Sequence, residues 1–251
     1  YEKLEKTSSK LEKTKILAEL FKKCETEDLE RIVYLVQGIV YPKYMQIEIG
    51  VAEQLMIRAI SKAIGVSIEK IEEEFAKLGD LGLVAEKLIP LRKQVTLFKK
   101  ELTIKEVFEN LRKIALVSGE GSQEKKLNTL SGLLLFASPK EAKYLVRTVL
   151  GELRIGVAEG IIRDAIVEAF LGKSEKSENA VDFAWNILSD FSLVAKIAKE
   201  KGIEGLLLTK IEIGRPIQVM LGEKAESIEE VVNKYGNVAA EWKYDGIRTL
   251  I

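Results

Sequence analysis

The chain has 251 residues, 47% of them hydrophobic, which is enough to bury a core and excludes wholesale disorder. Lysine plus arginine (39) balances aspartate plus glutamate (39), so any nucleic-acid face must come from local clustering of charge. Histidine is absent and Cys24 is the single cysteine, which excludes imidazole general bases, Ser-His-Asp triads, an intrachain disulfide and Cys/His zinc sites.

Apolar residues recur at three-to-four spacing through most of the first 200 residues. Ile16, Leu17, Leu20 and Phe21, then Leu29, Ile32, Val33 and Val36, predict amphipathic helices. Helix starts are signalled at Thr26, at Ser67 with Glu69, at Thr103 with Glu106, and at Ser138-Pro139-Lys140-Glu141. Gly119-Glu120-Gly121-Ser122 separates two helices near the middle. The composition shifts after Gly202: Leu206 to Ile213 reads as β-like, Gly214-Arg215-Pro216 as a turn, and Ile217 to Leu221 as strand. Ser227 to Lys234 reads as a short helix and Ala239 to Ile251 as strand-rich. The expected organisation is therefore a helical domain over 1–203, followed over 204–251 by the beginning of a mixed α/β domain. Both ends read as cuts within a longer polypeptide, since Tyr1 is not an initiator Met and Thr249-Leu250-Ile251 stops inside a β-like run. No apolar run approaches the roughly 18 residues needed to cross a bilayer, and the start is no secretory signal, so a cytoplasmic, membrane-free protein is expected. Charged residues at 31%, against roughly 25% in typical domains, are largely Lys and Glu, a bias of proteins from hot environments.

An internal repeat runs through the helical part. Tyr34-Leu35-Val36 leads to Ile49-Gly50-Val51-Ala52-Glu53, and Tyr144-Leu145-Val146 leads to Ile155-Gly156-Val157-Ala158-Glu159. Arg58 and Arg163 each stand just before an Ala-Ile pair at nearly the same offset. Two related helical halves about a pseudo-twofold axis are expected. Gly50 and Gly156 open helices whose free N–H groups make modest anion sites, and two such sites suit the twofold-related strands of a duplex. The same glycines serve equally well as packing residues between helices.

The run Glu241-Trp242-Lys243-Tyr244-Asp245-Gly246-Ile247-Arg248 concentrates chemistry. In a strand, Glu241, Lys243 and Asp245 share one face, and Gly246 permits a turn or close backbone approach. A lysine amine is a nucleophile once desolvation or nearby cations lower its pKa, whereas flanking carboxylates act the other way. By charge pattern alone the run is also a plain ion-pair ladder on an exposed strand.

Lys243-Tyr244-Asp245-Gly246 resembles the KxDG motif of the covalent-lysine nucleotidyltransferases: DNA ligases, RNA ligases and mRNA capping enzymes. The extended form E-x-K-x-D-G-x-R resembles the ATP-dependent DNA ligases more specifically. Tyr34–Tyr44, Gly79–Glu86, Gly119–Lys126 and Glu141–Gly160 are similar to the DNA-binding domain of that family, above all in archaea. Gly214 to Leu221 resembles the entry to the adenylation domain, although Val219 and Gly222 stand where the family usually shows Pro and Ala. The resemblance covers essentially the whole chain. It implies a mainly α protein, a duplicated helical DNA-binding domain followed by the truncated start of an α/β nucleotidyltransferase (adenylation) domain.

The resemblance further implies that Lys243 takes up AMP from ATP, with Mg²⁺ as the accompanying ion, and passes it to the 5′-phosphate of nicked duplex DNA. Glu241 and Arg248 would bind the nucleotide, and Asp245 and Gly246 would support the lysine loop. Arg147, Arg154 and Arg163, with Gly50 and Gly156, would contact DNA phosphates; each arginine also reads as an ordinary solvated or ion-paired one. Gln94, Leu97 and Phe98, flanked by Arg92, Lys93, Lys99 and Lys100, resemble a shortened box for binding a sliding clamp (PCNA), or a loop that covers the core. A monomer without metal ligands in this chain is expected, along with dependence on later motifs for ligation. The wider superfamily leaves an RNA ligase or capping enzyme as the alternative, and a DNA-binding module without enzymatic activity as a third reading.

Overall fold

The structure is a computed structural model that describes residues 1–92, 101–219, 224–242 and 245–247. Gln94, Leu97, Phe98, Lys243 and Arg248 lie outside the described residues. The chain divides into two compact units, Tyr1–Gln218 and Val219–Ile251.

In the first unit, α1 (Glu2–Glu5), α2 (Lys10–Lys23) and α3 (Thr26–Val36) precede a loop, and α4 (Glu53–Ile64), α5 (Ile68–Leu78) and α6 (Leu81–Leu88) follow it. Then come α7 (Ile104–Leu116), α8 (Ser122–Phe136), α9 (Pro139–Val149), α10 (Glu159–Ile166), α11 (Glu175–Leu188) and α12 (Phe191–Leu207). The starts are built as the sequence signals them: Ser67, Thr103 and Ser138 accept from the N–H three residues on, and Ser138 with Glu141 completes a capping box. Thr26 is the first helical residue of α3, and Glu25 precedes it without a side-chain cap. A π turn, Val167–Leu171, continues α10, and Gly202 at φ +60° breaks α12.

The two halves are exchanged. One core joins α4, α5 and α6 with α8 and α9, and the other joins α10, α11 and α12 with α2 and α3. The helix pairs match across the repeat: α4 packs on α8 as α10 packs on α2, and α6 on α9 as α12 on α3. Each half of the repeat thus completes the other half's core, which ties Tyr1–Gln218 into one unit. The two repeat tyrosines cross between cores. Tyr34 on α3 packs into the α4–α9 core, stacked on Phe108 at 5.8 Å, while Tyr144 on α9 packs into the other core against Tyr1 at 5.0 Å.

The repeat extends further than its IGVAE segments. Asp80-Leu81-Gly82-Leu83-Val84-Ala85 answers Asp190-Phe191-Ser192-Leu193-Val194-Ala195, and each aspartate caps its helix by accepting from the N–H two residues on. Burial also corrects the register read from the arginines. Met56, Ala59 and Ile60 match Ile162, Ala165 and Ile166, so Arg58 falls opposite Asp164, and Arg163 falls opposite the buried Ile57.

The β-like reading of Leu206 to Ile213 is not met, and the readings of Ile217 to Leu221 and Ala239 to Ile251 lie partly outside the described residues. Helix α12 continues to Leu207, and no strand occurs among the described residues. Strand backbone needs a neighbouring ladder to pair with, and the described residues there supply none. Residues to Gln218 stay with the first unit: Gln218 N–H donates to the Asn186 carbonyl at 2.8 Å and Ser189 Oγ to the Pro216 carbonyl at 2.7 Å. The second unit contains α13 (Ile228–Tyr235), capped by Ser227. No helix among the described residues is long and apolar enough to cross a membrane.

Candidate nucleic-acid interface

Each IGVAE segment makes the same turn. Gly50 and Gly156 have φ +59° and +62°, in the left-handed region where a side chain is strained. Both glycines are exposed, while Ile49 and Ile155 beside them are buried and anchor the turn. Ala52 and Ala158 are the N-cap residues of α4 and α10, and neither supplies a side-chain cap. The first ladder bonds run from Leu55 and Met56 to the Ala52 carbonyl, and from Ile161 and Ile162 to the Ala158 carbonyl. The N–H groups of Glu53 and Gln54, and of Glu159 and Gly160, precede the ladder and face the helix start.

A lysine fixes each turn from behind. Lys126 Nζ on α8 donates to the carbonyls of Ile49 at 3.2 Å and Gly50 at 2.9 Å. Lys13 Nζ on α2 donates to those of Ile155 at 2.6 Å and Gly156 at 3.0 Å. The two ammonium groups engage the carbonyls of each turn, and Gly50, Ala52 and Gln54, like Gly156, Ala158 and Gly160, are exposed. Sequence reading missed both lysines, although Ser9-x-x-x-Lys13 and Ser122-x-x-x-Lys126 carry the signal.

The three arginines expected at phosphates differ in placement. Arg147 is 5% exposed: its Nε bonds Asp80, its Nη2 lies 2.8 Å from Asp80, and its Nη1 lies 2.9 Å from Glu5. It is a buried strut between α9, α6 and α1, and is not presented to solvent. Burial works against ionisation of Asp80, but the Arg147 hydrogen bond and the amides of its own helix start outweigh it and hold the carboxyl below its ordinary range. Arg154 is half-exposed at φ +53°, reaching Asp80 at 3.3 Å and Glu152 at 2.5 Å. Arg163 is gripped by Asp182, Asp164 and Glu178, and the Asp182 hydrogen bonds lead the forces that raise its pKa.

In the second unit Glu241, Asp245 and Gly246 are all exposed, and Trp242 beside Lys243 is 88% exposed. No group of three or more Cys, Asp or Glu that could hold a metal ion occurs among the described residues.

The model of the DNA ligase N terminus matches residues 1–167. The chain belongs to that family. Across its whole length it is 48% identical to a DNA ligase of Nanoarchaeum equitans and 46% identical to one of Thermococcus onnurineus. A DNA ligase of Methanothermobacter thermautotrophicus is 44% identical, again over all of this chain. In each case the chain spans 44% of the relative's length. All of the residues matched to the DNA ligase N terminus lie in the paired-turn unit, and the Lys243 motif falls after the matched segment, within the stretch aligned to the relatives.

Proposed function

We propose that the protein is an ATP-dependent DNA ligase, acting on nicked duplex DNA in replication, repair and recombination. The observation that carries this reading is the run Glu241 to Arg248 within a chain aligned over its full length to proteins named DNA ligase. Lys243 Nζ attacks the α-phosphorus of ATP, its bond to AMP forms and pyrophosphate leaves. AMP then passes to the 5′-phosphate at the nick, and the 3′-hydroxyl displaces it to form the phosphodiester. Glu241 and Arg248 bind the nucleotide, and Asp245 and Gly246 support the lysine loop. Such phosphoryl transfers depend on positioning and charge neutralisation. Mg²⁺ belongs to this proposal as a companion of the nucleotide phosphates; the described residues offer it no cluster of ligands, and no step is assigned to protein-held metal.

The helical unit serves as the DNA clasp, with the turns at Gly50 and Gly156 presenting amides to phosphates on the two strands. Phosphate contacts of this kind confer affinity without reading sequence. The segment with Gln94, Leu97 and Phe98 is assigned to a sliding clamp. Replacing Gln94 and Phe98 by Ala is expected to weaken clamp binding in a titration without slowing clamp-free nick sealing; unchanged clamp affinity refutes the assignment.

Lysine 243 provides the direct test of the chemistry. In the intact protein Lys243→Ala abolishes the acid-labile AMP adduct formed from labelled ATP, and Lys243→Arg fails equally because guanidinium stays protonated. An adduct that persists in Lys243→Ala removes Lys243 as the nucleophile.

A further inference from the structure

The two turns share a backbone but not a charge pattern. In the register set by burial, Glu48 stands opposite Arg154, Arg58 opposite Asp164, and Lys62 opposite Glu168. Three matched positions therefore carry opposite signs. On α4 the exposed residues Gln54, Arg58 and Lys62 recur every four residues and form one stripe on the helix surface. The matching stripe of α10 and its π turn is Gly160, Asp164 and Glu168.

Arg58 stands apart from every other described arginine. Arg147, Arg154 and Arg163 are held by carboxylates, Arg31 by Asp28 and Arg215 by Glu212. Arg92 donates to the carbonyls of Leu135 and Ala137, and Arg112 donates to that of Val40 and lies 4.6 Å over the Tyr41 ring. Arg58 alone among them has no hydrogen bond, ion pair or aromatic partner, and it is exposed. Its helix neighbours three and four residues away are Gln54, Leu55, Ser61 and Lys62, none of them acidic. Helix α11 supplies Glu178 and Asp182 to Arg163 on α10, whereas among the described residues no ion pair joins α5 to α4. The fold makes no use of this guanidinium.

Its direction is set by helix geometry. Side chains on a helix lean toward the N-terminus, which directs Arg58 toward the preceding turn and the start of α4, where Ala52 supplies no side-chain cap. An unpaired guanidinium and free N–H groups both favour an anion at this end of α4.

We propose that Arg58 contacts a backbone phosphate of the duplex from the α4 half, and that the α10 half has no counterpart at the matching position. The clasp is therefore twofold in its backbone and one-sided in its stripe of charge. This rests on the DNA-clasp reading given above and adds the helix residue through which the α4 half holds its phosphate.

The test is a titration of intact protein against a nicked duplex at several salt concentrations, with Arg58→Ala, Arg58→Lys and Asp164→Ala. Arg58→Ala is expected to lose about three- to tenfold in affinity near ~0.1 M salt and to flatten the plot of log K against log salt by about one unit. Arg58→Lys is expected to restore the slope, because it returns the charge, and Asp164→Ala to lose nothing. Wild-type affinity and slope in Arg58→Ala, while the wild type binds tightly, overturns the assignment of Arg58 and leaves the clasp standing. An equal loss in Asp164→Ala overturns the one-sidedness. Absence of any duplex affinity in the wild type removes the clasp itself.

Discussion

Removing the Arg147 side chain takes from buried Asp80 its closest counter-charge, leaving only half-exposed Arg154 at 3.3 Å, while Glu5 keeps Lys143 at 2.9 Å. Breaking a buried pair from one side typically costs about 3–5 kcal/mol, so Arg147→Ala is expected to lower the unfolding free energy by that order. A denaturant titration checks it, and a change below about 1 kcal/mol returns Arg147 to the surface-arginine reading. Glu5 adds a pH signature. Burial opposes its ionisation, yet hydrogen bonds from Tyr144, Lys143 and Arg147 outweigh it and hold its pKa at about 2, below the ordinary 4.5. A carboxyl depressed on folding contributes fully above its unfolded pKa and loses that contribution as pH falls through the folded one. Docking of α1 onto α9 is thus expected to weaken between about pH 4.5 and pH 2, and Glu5→Gln to flatten that part of a melting-temperature profile.

Among the elements, the turns at Gly50 and Gly156 show how closely the halves have kept one device. A Cβ on Gly156 would stand 2.4 Å from Lys13 Nζ as well as at positive φ, whereas a Cβ on Gly160, inside α10, meets nothing within 4 Å. Gly156→Ala is therefore expected to destabilise by about 1–2 kcal/mol and Gly160→Ala to stabilise by about 0.5–1 kcal/mol in thermal melts. Equal effects would contradict the strained turn. Lys13→Met, which removes a buried donor from two carbonyls, is expected to cost about 2 kcal/mol, more than Lys126→Met at its half-exposed equivalent. The caps at Ser67, Thr103 and Ser138 were legible in the sequence because a cap is a local event, settled within one turn. For the lysines behind the glycines the sequence shows only the matched Ser-x-x-x-Lys spacing, and their targets are hidden because they lie 142 and 76 residues away along the chain. The same limit explains Arg147, which reads as a surface cation in its own helix until α6 and α1 bring Asp80 and Glu5 to it.

At the scale of the molecule, exchange of helices between the two cores makes one unit of a duplicated sequence. Neither set of three helices, α4–α6 or α10–α12, closes a core without the other repeat's pair. IGVAE disclosed the duplication, and burial shows that its register continues unbroken through α4 and α10, so that Arg58 and Arg163 stand one residue apart relative to the apolar pattern. The strand reading of Leu206 to Ile213 failed because β-like composition forms strands only with a partner, and Leu206 and Leu207 instead finish α12. The zero net charge of the chain makes the clasp demanding, since cations must gather at the turns while acids are spent in internal pairs. The measurement that bears on this most directly is binding of the intact protein to nicked duplexes of unrelated sequence across a range of salt. The account predicts similar affinities for all of them and a linear fall of log K with log salt, as counterions released by phosphate contacts require. A protein with no duplex affinity at low salt, or with affinity that ignores salt, contradicts it.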